Sequence, residues 1–244
     1  MIDRIVLDRK IDVGKEIIIQ GPPLEALYFQ GGRVGSLITM TDSEGNDFRG
    51  RVNQLSKEKA SIFIFDGFPS PTESSVEIIL LQALPEKERM EWIIQKTTEL
   101  GVSTVIPFKS ERSISLEERE AKQKKAHRWQ EIAVKAVQQS RRAKVPWIAA
   151  YHLFNEALKV CGDDGLKIIL WEKDGGKLKN VLRQYSPQKI YAMVGPEGGF
   201  TEEEVRLARG RGFIPVKLGQ RILRTETAAI TLVGILQYEL GDLS

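Results

Sequence analysis

A strand that runs into a cluster of glycines and restarts as a helix constrains this chain more than any other feature. From Lys189 the sequence reads KIYAMVGPEGGFTEEEV. Ile190 to Val194 is a short apolar run of strand formers, broken at Gly195 by Gly-Pro-Glu-Gly-Gly. Thr201 and Glu204 have the T-x-x-E spacing of a capping box, so a helix should start there. Glycines at such a junction let the backbone turn sharply or approach a ligand closely. A mere tight turn is the competing and weaker reading. A second junction tips the balance: Val216-Lys217-Leu218 runs into Gly219, and Gln220 to Arg224 lead into an apolar helix beginning near Glu226. Two strand-to-helix junctions of this kind form neighbouring walls of one crevice in an α/β protein. Neither is a G-x-G-x-x-G fingerprint and no G-x-x-x-x-G-K-[ST] occurs, which argues against ordinary dinucleotide and P-loop sites.

The rest of the chain supplies the sheet that such a crevice needs. Ile78–Leu84, Val102–Phe108, Pro146–Ala150, Leu166–Trp171, Lys189–Val194 and Phe213–Leu218 read as strands, with helical patterns between them. Pro85 is expected to open the first of these helices. Met90, Ile93, Ile94, Thr97 and Leu100 share one face of it, and Gly101 ends it. The alternation predicts a mostly parallel sheet with helices on both faces. Residues 1 to about 70 have a different texture. Glu16–Ile19, Ser36–Met40, Phe48–Val52 and Ala60–Phe65 read as short strands separated by turn clusters, with no convincing helix, and predict a small barrel or sandwich. Gly67 to Ser75 reads as a linker, dividing the chain into domains at 1–72 and 73–244.

Composition narrows the chemistry. At 41% hydrophobic and 28% charged residues the chain has ample core for two domains. The charged start MIDRIVLDRK is unlike a signal peptide, and no apolar run reaches membrane-spanning length, so a cytoplasmic protein without membrane contact is expected. One cysteine and two histidines in different elements argue against a metal cluster. The net charge of +3 is mild, so the distribution of charge matters more than its sum. From Arg119 to Lys144 nine basic residues face two acidic ones. Ala126, Trp129, Ala133, Ala136, Val137 and Ser140 fall on one helical face, and Lys124, Arg128, Lys135 and Arg142 on the other. A solvated face is usually of mixed sign, and a single-sign face suggests a polyanion partner.

VGPEGGF followed by LGQRILRTETAAI closely resembles the 16S ribosomal RNA uracil-N3 methyltransferases of the SPOUT superfamily. Trp92 to Val102, Ser110-Glu111-Arg112-Ser113 and Trp129…Gln139-Ser140-Arg141…Pro146 are similar to that family as well. The resemblance implies S-adenosylmethionine as cofactor, 16S rRNA in the small ribosomal subunit as substrate, a deep trefoil knot, a homodimer and an N-terminal PUA-like β-barrel that binds RNA. It implies cofactor contacts from Leu170 and Glu172, from Val194, Gly195, Pro196, Glu197, Gly198 and Gly199, and from Leu218, Gly219, Ile222, Leu223 and Arg224. Arg33, Arg112, Lys124, Arg128, Lys135, Arg141 and Arg142 are the expected RNA contacts. Family members usually carry a V-L-R-like triplet where this chain reads Phe29-Gln30-Gly31-Gly32-Arg33, and Arg33 takes the place of its arginine. Arg224 is the catalytic candidate, stabilising a uracil anion, with Glu226 either orienting Arg224 or capping the last helix. A carboxylate, water or no dedicated base remain open for the proton. A non-catalytic RNA-binding module and a small-molecule α/β enzyme are the competing classes.

Overall fold

The computed structural model describes residues 4–68, 73–86, 88–114, 129–140, 142 and 144–243. The chain divides into two compact units, Met1–Glu73 and Ser74–Ser244.

In the first unit, strands β1 (Arg4–Val6), β2 (Glu16–Ile19), β3 (Leu37–Thr41), β4 (Asp47–Leu55) and β5 (Ala60–Phe68) form one sheet in the order β1-β3-β4-β5-β2. All pairs are antiparallel except β1 with β3. Alternate residues, such as Ile38 and Met40 or Ile62 and Ile64, point into a small core. The strands expected here are present, but the sequence reading missed a helix. α1 (Pro22–Phe29) starts on the Gly21-Pro22-Pro23 cluster that reads as a turn. Proline at the first helical positions has no hydrogen bond to lose, so the same residues that break a strand open a helix. Leu24 and Leu27 then close the core.

The second unit is a sheet whose paired strands are all parallel. β6 (Glu77–Ala83), β7 (Thr104–Lys109), β8 (Trp147–Ile148), β9 (His152–Leu153), β10 (Leu166–Leu170), β11 (Gly176–Lys177), β12 (Lys189–Val194) and β13 (Ile214–Lys217) give the order β11-β13-β10-β12-β6-β7-β8, with β9 beside β7. The central strands are apolar throughout because both faces are covered. Ile78 and Leu80 pack on one side with α2 (Arg89–Glu99), α3 (Trp129–Ser140), α5 (Leu178–Leu182) and α7 (Thr225–Leu240). Ile79 and Leu81 pack on the other with α4 (Phe154–Lys159) and α6 (Glu202–Arg209). There Phe108, Phe154 and Phe200 form an aromatic cluster with ring centroids 5.8 to 6.4 Å apart.

Two details differ from the sequence reading. α2 begins at Arg89, four residues beyond Pro85. Arg142, expected on an RNA-facing surface, is 7% exposed. Its Nη1 donates to the carbonyls of Thr98 at 2.8 Å and Val102 at 2.9 Å. The last carbonyls of a helix lack partners within it, and a cation is also favoured at that negative end of the dipole. Arg142 therefore closes the C-terminus of α2, and Gln237 Nε2 joins it by donating to Gly101 O at 3.2 Å.

Candidate active site

The carboxyl ends of β10, β12 and β13 open into a cleft of about 470 Å³. Ligands of open α/β sheets collect at this end because the loops leaving the strands carry free backbone groups and helix N-termini. Leu170 and Glu172 follow β10; Val194, Gly195, Pro196, Glu197, Gly198 and Gly199 follow β12; and Leu218, Gly219, Ile222, Leu223 and Arg224 follow β13. All of these expected cofactor residues line the cleft. Trp171, Phe200, Val216, Lys217, Arg221, Thr225, Ala228 and Arg89 complete the wall. Among these, only Arg89 comes from a segment that the sequence reading did not connect with the site.

The glycine turn is held from three sides. The Gly199 N–H donates to Pro196 O at 3.0 Å, and Gly199 has φ +67°, a left-handed conformation that other residues adopt at a cost. The helix after it starts as predicted: Glu204 N–H donates to Thr201 Oγ1 at 3.2 Å, and Thr201 N–H donates to Glu204 Oε2 at 2.9 Å. The buried Glu204 also accepts Glu111 N–H at 2.9 Å, which seats the 110–113 loop against the turn. From that loop Arg112 donates through Nη1 to Gly198 O at 2.9 Å. A side chain at Gly198 would press on Arg112 at 3.1 Å. Arg112, an expected RNA contact, thus stands against the cofactor turn.

Below the turn a buried polar chain ties three elements together. Thr225 Oγ1 donates to Gly195 O at 2.6 Å and accepts from Gln82 Nε2 at 3.0 Å. Gln82 is fully buried near the end of β6, and its Nε2 also donates to Ala83 O at 2.9 Å. The start of α7 is therefore anchored to the glycine turn.

The carboxylates differ from expectation. Glu226 makes no ion pair with Arg224 among the described residues; its Oε2 lies 3.6 Å from Arg89 Nε. Arg89 simultaneously pairs with Glu197, whose Oε1 also accepts Glu86 N–H at 3.0 Å. The pairing with Glu197 strengthens Arg89's hold on its proton. Glu197 lines the cleft, but its carboxylate is tied to the start of α2. Arg224 stands at the N-cap position of α7, exposed. Lys217, Arg221, Arg224 and Glu172 make no side-chain hydrogen bond or ion pair among the described residues, and Ile222 is 89% exposed.

Of the remaining expected RNA contacts, Arg33 is exposed on the turn before β3 and Lys135 is exposed on α3. Lys124, Arg128 and Arg141 lie outside the described residues. Among the described residues no cluster of three histidine, cysteine or acidic side chains is placed to hold a metal. Burial pushes the Cys161 thiol up to about 12, partly offset by Lys167, which makes it a poor nucleophile. No described helix is long and apolar enough to cross a membrane. A second depression, of about 700 Å³, lies at the opposite ends of the strands, between Glu77, Asp164, Lys167, Tyr185 and Lys189. It is the larger of the two, but its cations are already paired: Lys189 with Asp164 and Glu77, Lys167 with Asp163.

A family profile described as an RNA methyltransferase domain matches residues 72–237. The chain is 32% identical over 212 residues to the ribosomal RNA small subunit methyltransferase E of Bacillus subtilis, covering 84% of this chain and 82% of that protein. It is 31% identical to the protein of the same name from Aquifex aeolicus, covering 86% and 98%. A crystal structure of a ribosomal RNA small subunit methyltransferase E from Neisseria gonorrhoeae, bound to S-adenosyl methionine, is similar with a TM-score of 0.73 at 34% identity over 100% of both chains. A putative methyltransferase from Legionella pneumophila in complex with the same cofactor gives 0.69 at 31%, again over 100% of both. The sequence reading, the parallel sheet and these relatives agree, and the chain belongs to the RNA methyltransferase family, among the ribosomal RNA small subunit methyltransferases E.

Proposed function

We propose that this protein is an S-adenosylmethionine-dependent methyltransferase acting on N3 of a specific uridine in the 16S rRNA of the small ribosomal subunit. The observation that carries this reading is the cleft: three separate strand ends bring every residue expected to touch the cofactor into one space. The residues there fit the molecule. Leu170, Val194, Leu218 and Leu223 offer apolar surface for adenine, the glycine turn offers backbone groups at close approach, and the Glu172 carboxylate, unpaired among the described residues, suits a cationic ligand or ribose hydroxyls. When bound, the cofactor supplies an electrophilic methyl group on a sulfonium.

The remaining chemistry falls to the protein. Uracil N3 is a weakly acidic imide and becomes a good nucleophile only when its proton leaves. Arg224 lines the cleft wall with no side-chain partner among the described residues, free to meet the negative charge that develops on the base. Glu226, engaged by Arg89, serves as part of the scaffold in this reading. Holding base and donor in line lowers the barrier further.

The finer features of the family follow the same reading. Residues 1–72 act as a PUA-like RNA-binding barrel, supported by the five-stranded sheet and by Arg33 exposed on the turn before β3. Residues 73–244 form the SPOUT domain, with the C-terminal segment threaded as a trefoil knot. The protein works as a cytoplasmic homodimer. On α7 the face carrying Thr227, Thr231, Gly234 and Tyr238 is left partly open by its own sheet, as an isologous interface requires. Lys124, Arg128, Lys135 and Arg141 contact RNA phosphates.

Single-turnover methylation of small-subunit RNA, followed by mass spectrometry of the isolated nucleosides, tests the reading. The expected product is N3-methyluridine, formed faster as pH rises above neutrality until the anion is fully formed. A ribose 2′-O-methyl product or a flat pH profile defeats the mechanism.

A further inference from the structure

Arg89 belongs to no motif in the sequence, yet it occupies a distinctive place. It is the first residue of α2 and lines the cleft. Its Nη1 pairs with Glu197 of the glycine turn, and its Nε faces Glu226 of α7 at 3.6 Å. Glu226 Oε2 is buried and has no hydrogen bond. Among the described residues Arg89 is the one cation paired with it. Three elements that border the cleft therefore meet at one guanidinium. Glu197 holds the turn that carries Gly198 and Gly199, and Glu226 stands two residues beyond Arg224. A planar guanidinium fork can serve two carboxylates on different elements at once, whereas a lysine ammonium acts as a single point.

We propose that Arg89 is a positioning residue for methyl transfer, which fixes Arg224 relative to the cofactor turn by clasping Glu226 and Glu197 together. Without it, Glu197 and Glu226 lose the cation they share, and the first turn of α7 keeps the Thr225 tie to Gly195 but loses the clasp that sets Arg224 beside it. Displacements of about 1 Å in such a site cost about 10²-fold in rate.

The inference rests on the methyltransferase reading, and the test separates the two. The full-length chain is assayed for single-turnover methylation of small-subunit RNA at saturating S-adenosylmethionine, with cofactor affinity measured by calorimetry. A wild-type chain that transfers no methyl group overturns the functional reading, whatever Arg89 does. With an active wild type, Arg89→Ala should slow transfer by about 10- to 100-fold while cofactor affinity changes less. Glu226→Gln, which keeps the shape of a residue outside the cleft lining, should slow transfer comparably. The double variant should be no slower than Arg89→Ala alone, because both break one unit. Arg89→Lys keeps the charge and guards against a folding failure of the alanine variant; it should also be slowed, since the fork is lost. The proposal is overturned if Arg89→Ala only weakens cofactor binding at an unchanged saturating rate, if the two losses multiply, or if Arg89→Lys turns over like the wild type.

Discussion

At the N-terminal ends of β6, β10 and β12, Lys189 reaches Asp164 at 3.0 Å and Glu77 at 3.3 Å, and Lys167 reaches Asp163 at 3.1 Å. At the C-terminal ends of β10, β12 and β13, Lys217, Arg221 and Arg224 have no such partner among the described residues. Both ends form depressions, and the N-terminal one is the larger. The difference lies in what the charges are for. Paired charges close off the N-terminal ends of the strands, and Tyr191 shows the same economy by donating to Asp164 while accepting Gly162 N–H. In the proposed function, the cations around the glycine turn that are unpaired among the described residues are open to a negatively charged or charge-developing ligand. Pairing, more than volume, distinguishes the site from the seal.

Three substitutions sharpen or break that contrast. The largest effect should come from Arg224→Ala, which slows single-turnover methyl transfer by about 10²-fold, the scale of one lost oxyanion donor. Cofactor affinity measured by calorimetry should move far less, and an equal loss of both would make Arg224 a cofactor ligand. Gly199→Val comes next. The space beside Gly199 is open, with Glu172 Oε1 at 3.5 Å from an added Cβ, so crowding is not the cause. The strain lies in forcing a β-branched residue to φ +67°, about 1–3 kcal/mol, which should weaken S-adenosylmethionine by roughly tenfold or more. Wild-type affinity in the folded variant would show that the turn does not shape the site. The smallest effect should follow Lys189→Met at the opposite end. The hydrogen bond from Lys189 holds Asp164 below the usual carboxylate range. That contribution is present above the ordinary carboxylate value and fades as pH falls through the lowered one. Solvent screens the Asp164 carboxylate strongly, so thermal melting should shift only slightly, and methyl transfer not at all. A loss of activity here would erase the distinction between the two ends.

The cleft was legible in the sequence because its ingredients are local. Apolar runs, glycines at their ends and a T-x-x-E cap can be read without knowing where anything packs, and the sheet order only had to bring the ends together. What escaped was non-local. Arg142 looks like any cation near a helix end, and only the position of α2 shows that it closes Thr98 and Val102 instead of facing RNA. Arg89 opens a helix four residues after the proline expected to start it, so the sequence did not point it at the site. Glu226 could be matched with Arg224 by proximity in the chain, but its ion pair is with Arg89, from a different element. α1 was hidden because prolines that break strands also begin helices. The sequence marks where the backbone turns; the partners of charged side chains depend on the whole fold.

The hydrogen bond from Thr225 to Gly195 has a consequence for biosynthesis. On a chain emerging from the ribosome the glycine turn is made thirty residues before its anchor. Until α7 has been translated, the Gly195 carbonyl and the buried Gln82 amide lack their common partner, and the cleft lacks the part of its wall that Thr225 and Ala228 supply. Domains fold as units once their chain is available, so nascent chains hold no finished pocket. The finished pocket needs the last helix as well as the three strand ends.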